Sequence, residues 1–254
     1  MADSDAIVEV RGIRKLYGEV EALRDVSLVF PRGKLTTLLG PSGCGKTTLL
    51  KIIAGLLPPS AGEVYVNGRK VTGPGPERAF VFQDFALLPW ATVLRNVAFG
   101  LELRGLPERE RHEAARRYID EVGLAGFEAA YPHQLSGGMR QRVGLARALA
   151  VHADILLMDE PFSAVDEQTR RKFQEDLLSL LSIERKTVIF VTHSIEEAVY
   201  LSDQIVLLSR RPGTVSRLVS AGIARDKGPD EIRRDKNYLD AVDDIWHALK
   251  RYLV

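Results

Sequence analysis

The run GPSGCGKTT, from Gly40 to Thr48, satisfies the spacing G-x-x-x-x-G-K-[ST] and sits between an apolar run, Leu35 to Leu39, and a helical pattern beginning near Lys46. Glycines at those positions let backbone N–H groups converge on β and γ phosphates. Lys46 adds a point charge there, and Thr47 offers a hydroxyl to Mg²⁺. Gly40, Pro41, Ser42, Gly43, Cys44, Gly45, Lys46, Thr47 and Thr48 are therefore expected to line a phosphate chain. A second anion-binding helix start lies far downstream in LSGGMRQR, Leu135 to Arg142. There a Ser hydroxyl and the N–H groups of Ser136, Gly137 and Gly138 are offered without a lysine of their own. Two such sites, one lacking its cation, suggest one nucleotide held between two subunits.

Further groups follow strand-like runs. ILLMDE, Ile155 to Glu160, is a buried-type strand ending in adjacent carboxylates, an arrangement that is costly unless a cation or a water uses them. Asp159 suits the Mg²⁺ shell and Glu160 a general base that polarises the attacking water. Gln83, in VFQDF, offers a side-chain oxygen to Mg²⁺ or to that water, or is a polar residue at a strand end. His193, in VTHS, is placed to hydrogen-bond a γ phosphate or to serve the fold. Asp166, in SAVD, could be the N-cap of a helix beginning near Glu167 as well as a site residue. Tyr17 offers an aromatic face to a base, or packs at an edge.

The elements that must position these groups can be read in outline. Strand patterns occur at Ile7 to Val10, Val26 to Phe30, Leu35 to Leu39, Val64 to Val66 and Ala79 to Phe82. A later set at Ile155 to Met158, Thr187 to Val191 and Gln204 to Ser209 is separated by helical patterns, the sign of a mostly parallel α/β sheet. Thr92 to Val151 reads as almost wholly helical, with Pro107 before a helix start. After Ser136, Val143, Ala146 and Leu149 share one helix face, while Arg140 and Arg147 share another. RRPGTVSRLV reads as a turn and a terminal strand, and Pro229 to Val254 as amphipathic helix. The expectation is one α/β core with an antiparallel flank, interrupted by a helical insertion.

Composition narrows the setting. In 254 residues, 35 basic and 34 acidic side chains leave a net charge of +1, so no global field argues for nucleic acid. One cysteine, Cys44, excludes an intrachain disulfide and fits a reducing cytosol, filling a tight loop rather than serving redox chemistry. The start MADSDAIVEV does not read as a secretory signal, and no run reaches the apolar length of a spanning helix.

Taken together, these motifs resemble the nucleotide-binding subunit of an ATP-binding-cassette (ABC) transporter, in the family's order from roughly Ile7 to Val219. The resemblance implies an ABC ATPase fold: a P-loop NTPase core with a mostly parallel sheet, an antiparallel β flank and an inserted α-helical subdomain. It further implies one domain, with core 1–91 and 152–220, helical subdomain 92–151 and C-terminal tail 221–254. It implies ATP and Mg²⁺, with Tyr17 stacking on adenine and Gln83 coupling the Mg²⁺ site to the helical insertion. Ser136 and Gly138 would contact the γ phosphate bound by the opposite subunit, Asp166 would lie at the dimer seam, and His193 would be the switch histidine. Met139 stands where many relatives place Gln. FQDFALLPWATVLRNVAFGLELRG, DEPFSAVDEQTR and SRRPGTV resemble ATPase subunits of bacterial importers for nitrate, sulfonates, taurine and related solutes. The partners so implied are a second ATPase subunit, identical or related, a polytopic permease meeting the Phe85 to Trp90 patch, and indirectly an extracytoplasmic solute-binding protein. The chain would work at the cytoplasmic face of the inner membrane. A soluble, non-transport ABC ATPase is the alternative class, disfavoured by the lack of a long coiled coil and of a tandem cassette. A P-loop kinase or GTPase has no use for LSGGMRQR.

Overall fold

The computed structural model describes residues 6–163, 166–223 and 227–252, without the side chains of residues 182 and 183. Residues 164 and 165 of the SAVD segment, the first five residues and the last two of the expected C-terminal helix lie outside that set. The chain forms two compact units, one of residues 1–75 with 185–254 and the other of residues 76–184.

In the first unit, β1 (Ala6–Tyr17) and β2 (Val20–Pro31) make a long antiparallel hairpin, and β1 pairs on its other side with β4 (Ala61–Val66), which carries the short β5 (Arg69–Lys70). The hairpin strands run well beyond the expected cores because register shifts let polar stretches stay in the ladder. A second layer is parallel. β3 (Leu35–Leu39) is buried along its whole length between β8 (Thr187–Thr192) and β9 (Gln204–Leu208), and β10 (Val215–Ser220) closes antiparallel on β9. Burial on both faces is why LTTLL and TVIFVT read as continuous rather than alternating runs.

α1 (Lys46–Ile53) follows β3, and α6 (Ile195–Leu201) follows β8. The expected single C-terminal helix is two, α7 (Pro229–Arg234) and α8 (Lys236–Lys250). Asp235 adopts extended backbone between them, and its carboxylate accepts from the Asn237 N–H at 2.9 Å, ending one helix and capping the next.

The second unit holds the parallel pair β6 (Arg78–Val81) and β7 (Ile155–Asp159) and the helices α2 (Val93–Leu103), α3 (Glu108–Glu121), α4 (Gly137–Ala150) and α5 (Glu167–Glu184). Helices α2, α3 and α4 pack on one another. The segment read as almost wholly helical is interrupted at residues 122–131, where Gly123 and Gly126 take left-handed backbone, and only a 3-10 turn, Pro132–Gln134, intervenes before α4. The expected inward face of α4 is buried: Val143, Ala146 and Leu149 are all inaccessible.

Two polar clusters tie this unit together. Asn96, buried in α2, accepts from the Leu88 N–H at 2.8 Å and donates toward the carbonyls of Leu88, Ala91 and Thr92 at 3.0–3.1 Å. That shapes the loop on which Trp90 stands 72% exposed. The buried Tyr118 of α3 donates to the Glu184 carboxylate at 2.9 Å. His152 Nδ1 lies 3.1 Å from the same hydroxyl, so the imidazole must be the donor in that contact.

Candidate active site

In the first unit the phosphate-loop sequence leaves β3 and enters α1. Gly43 (φ +75°) and Gly45 (φ +100°) take left-handed backbone, and a β-carbon on Gly45 would stand 2.6 Å from Leu23 Cδ2. Ser42 and Gly43 are exposed, Pro41, Gly45, Thr47 and Thr48 half-buried, and Gly40, Cys44 and Lys46 buried. The Lys46 ammonium is held inside the loop, donating to the Gly40 and Pro41 carbonyls at 2.8 and 3.0 Å. Burial pushes the Cys44 thiol above its ordinary range, against the pull of nearby Lys46, so it stays a thiol that fills space.

β3 and β8 are parallel with Leu39 opposite Thr192, so Gly40 and His193 leave neighbouring strands at the same carboxyl edge. Ligands of open α/β sheets gather at such an edge. His193 is exposed. The turn that carries it is braced on both sides: the Thr192 hydroxyl donates to the buried Glu197 carboxylate at 2.5 Å and accepts from the Ser194 N–H at 3.1 Å, and Ser194 Oγ caps α6. Tyr17 ends β1 with half its surface open (49%), at the end of the hairpin where Ala22 and Leu23 of β2 pack against Gly45 of the phosphate loop. Lys15 Nζ sits 5.3 Å from the Tyr17 ring centroid and is pinned there by donating to the Pro58 carbonyl at 2.7 Å.

The second unit repeats the edge arrangement. β6 and β7 are parallel with Val81 opposite Met158, so Gln83 emerges at the same edge as Asp159 and Glu160. Asp159 is buried at the end of β7. Glu160 turns out of the strand at φ +45° and is half-buried. Asp166 caps α5, its carboxylate accepting from the Thr169 N–H at 3.0 Å, which holds the acid below the usual carboxylate range. Its cap role is thus met by the fold.

Ser136 is the exposed N-cap of α4, accepting from the Met139 N–H at 3.3 Å, with Gly137 and Gly138 in the first turn. It is not gathered with the carboxylates. Arg147, well along the same helix, reaches the Gln83 loop, and the run from Gly137 to Arg147 spans about 15 Å at 1.5 Å per residue.

Arg147 has a role that helix-face patterning does not reveal. From the face it shares with Arg140 it donates from both terminal nitrogens to the carbonyls of Phe85 and Ala86 at 2.6 and 2.7 Å. Burial lowers its affinity for the proton, and Asp84 opposes that shift. Phe85 (φ +63°) and Ala86 (φ +43°) are consecutive non-glycine residues in left-handed backbone, a strained turn that the guanidinium clasps. Only a lone arginine at helical spacing marked it in the sequence.

The ABC transporter family pattern matches residues 23–163. Over 251 residues the chain is 51% identical to an uncharacterised ABC transporter ATP-binding protein of Methanocaldococcus jannaschii, covering 96% of this chain and 94% of that protein. It is 42% identical over 252 residues to the nitrate import ATP-binding protein NrtD of Synechocystis sp., covering 96% and 95%. With the taurine import ATP-binding protein TauB of Yersinia pestis it shares 45% over 243 residues, covering 94% and 95%. Among solved structures, a dimeric post-hydrolysis state of the ATP-binding cassette MJ0796 bound to ADP and Pi superposes with a TM-score of 0.76 at 35% identity, covering 84% of this chain and 98% of that one. The chain belongs to the ABC transporter ATP-binding proteins, has the ABC cassette fold and is an ATPase.

Proposed function

We propose that this chain powers a bacterial-type ABC importer for a small solute such as nitrate, a sulfonate or taurine, working as a pair of ATPase subunits beneath a polytopic permease. The solute class rests on the likeness to proteins named as nitrate and taurine import subunits. On this reading the chain is peripheral at the cytoplasmic face of the membrane and meets the permease through the Phe85 to Trp90 loop. None of its described helices is long and apolar enough to cross a bilayer.

The observation that carries the paired arrangement is the position of Ser136. It opens α4 exposed, with two N–H-bearing glycines behind it and no lysine of its own, a helix away from the Gln83 loop of its own unit. Such a start suits the γ phosphate of a nucleotide seated on another copy. Each ATP would then lie on one chain's phosphate loop, with Lys46 beside the phosphates and Tyr17 against adenine, and would be closed by the other chain's Ser136, Gly137 and Gly138. Asp166 would lie at the seam.

Glu160 is assigned the base. Its carboxylate takes a proton from the water whose oxygen attacks the γ phosphorus, the bond to the β-phosphate bridging oxygen breaks, and ADP leaves with that electron pair. His193 holds the transferred phosphoryl group by hydrogen bonding, and Gln83 positions the water. Within the second unit, Asp159 and Gln83 offer one buried carboxylate and an amide oxygen at one strand edge, and no cluster of three acidic, His or Cys side chains exists among the described residues; on the family resemblance the Thr47 hydroxyl would be a further Mg²⁺ ligand. A cation that takes its remaining ligands from phosphate and water is served by such a set. When bound it would neutralise phosphate charge.

Glu160→Gln is expected to retain ATP binding and lose turnover about a hundredfold or more, as loss of a general base does. Ser136→Arg is expected to abolish turnover, and mixing it with Lys46→Ala chains is expected to leave one composite site intact and restore part of the activity. Parental hydrolysis by Glu160→Gln would overturn the base assignment, and absence of any restoration on mixing would overturn the shared site. Recovery of a polytopic permease with the tagged chain, and ATP-dependent solute uptake by that complex in vesicles, tests the importer reading.

A further inference from the structure

The turn between β9 and β10, within the stretch SRRPGTV, lies against the back of the phosphate loop. Gly213 is bound on both sides to β2: its N–H donates to the Ala22 carbonyl at 2.9 Å, and its carbonyl accepts from the Arg24 N–H at 3.0 Å. Its third neighbour is the phosphate loop. A β-carbon on Gly213 would stand 2.0 Å from the Cys44 carbonyl oxygen and 3.2 Å from Leu23 Cδ2, so only a hydrogen fits there. The loop is backed at two further points, Gly40 against the Leu208 carbonyl and Gly45 against Leu23.

The turn itself is held by Ser209. Its N–H donates to the Thr214 carbonyl at 3.0 Å, its hydroxyl oxygen accepts from the Thr214 N–H at 3.0 Å, and its hydroxyl hydrogen faces the Arg210 and Pro212 carbonyls at 3.0 and 3.2 Å.

The Cys44 carbonyl and the Gly45 N–H belong to one peptide plane and, in a trans peptide, point in opposite directions. The carbonyl faces Gly213, so the Gly45 N–H points away from that turn. We propose that Gly213 is a positioning residue for the nucleotide: the Ser209–Thr214 turn fixes the tilt of the Cys44–Gly45 peptide and thereby aims a phosphate-binding N–H. The proposal rests on the reading of Gly40 to Thr48 as the ATP phosphate site. A methyl group at 213 must push the carbonyl, and it cannot do so without rotating that N–H. Sub-ångström misplacement of a binding group is enough to lose an order of magnitude in the interaction it makes.

The test is titration of the full-length chain with MgADP, read by calorimetry beside thermal melting, for the parent, Lys46→Ala, Gly213→Ala, Ser209→Ala and Gly62→Ala. Gly62 is a matched stress elsewhere, since its β-carbon would stand 2.3 Å from the Gly12 carbonyl in the antiparallel sheet. Gly213→Ala is expected to weaken MgADP about tenfold or more, and Ser209→Ala about threefold. Gly62→Ala is expected to melt earlier yet bind as the parent does. Parental affinity in Ser209→Ala, or in Gly213→Ala where it folds, overturns the proposal, as does an equal loss in Gly62→Ala. If the parent binds no MgADP, or Lys46→Ala binds it equally, the phosphate-site reading itself falls, and the two failures are told apart.

Discussion

Replacing Arg147 with Met removes a cation and keeps most of the side-chain volume, so it isolates the clasp on the Gln83 loop. Two hydrogen bonds from a charged donor, at 2.6 and 2.7 Å to Phe85 and Ala86, are together worth about 3–6 kcal/mol. Against them stand two non-glycine residues in left-handed backbone, each costing about 1–2 kcal/mol. Once the clasp is gone the turn is free to relax and recover that strain. The global loss of stability is therefore expected to be only about 1–2 kcal/mol, the difference between those two terms. The function should suffer more than the fold, because Gln83 lies two residues before the relaxed turn. Urea denaturation measures the first quantity, ATP turnover the second, and amide exchange at Phe85 and Leu88 reports the loop. Turnover is expected to fall about tenfold or more with faster exchange at those amides. Arg147→Lys should recover less than half of the loss, since one ammonium cannot fork to both carbonyls. A stability loss equal to the full value of both bonds with unchanged exchange would show that the turn stores no strain. Parental turnover and exchange together would show that Arg147 does not hold the loop.

Burial raises the Tyr118 hydroxyl above its ordinary range, with the hydrogen bond to Glu184 adding to the shift. A group raised in the folded state contributes stability that is complete below the unfolded value near 10 and declines as pH rises toward the folded one. The parent should thus lose stability as pH rises above about 10 more steeply than Tyr118→Phe, by denaturation at each pH; parallel curves would refute the coupling. Asn96→Ala removes the partner of four backbone contacts at Leu88, Ala91 and Thr92. It should cost about 2–4 kcal/mol in urea denaturation and shift the fluorescence of exposed Trp90, whereas Asn96→Asp should restore only the contact to the Leu88 N–H.

Many of the elements that carry the candidate site are legible in the sequence because their signals are local. LTTLL reads as a buried strand since every residue in it is apolar or a small β-branched alcohol, and β3 spans those residues. Ser136 before two glycines reads as a helix start, and it caps α4. What escaped depends on contacts distant in sequence. Nothing near Arg147 shows that the Gln83 loop will turn left-handed beneath it, and nothing near Gly213 shows that Cys44 will meet it. The long β1 and β2 escaped for another reason: bulges break the alternation that marks a strand, so polar residues there imitate a loop. The C-terminal segment reads as one helix because its amphipathic period carries across Asp235, whose extended backbone breaks it and whose carboxylate caps the second helix by accepting from the Asn237 N–H.

Glu160 leaves β7 in a backbone conformation that a long, γ-branched-free acid visits only at a cost. Glycine or asparagine would adopt that backbone with less strain, so the residue assigned to chemistry is held at a conformational cost. The position is therefore a place where selection for a durable chain and selection for a working one pull in opposite directions. Variants recovered by screening for thermal resistance alone should include replacements at 160, and on the proposed assignment of Glu160 as the base these would fold well and fail to turn ATP over.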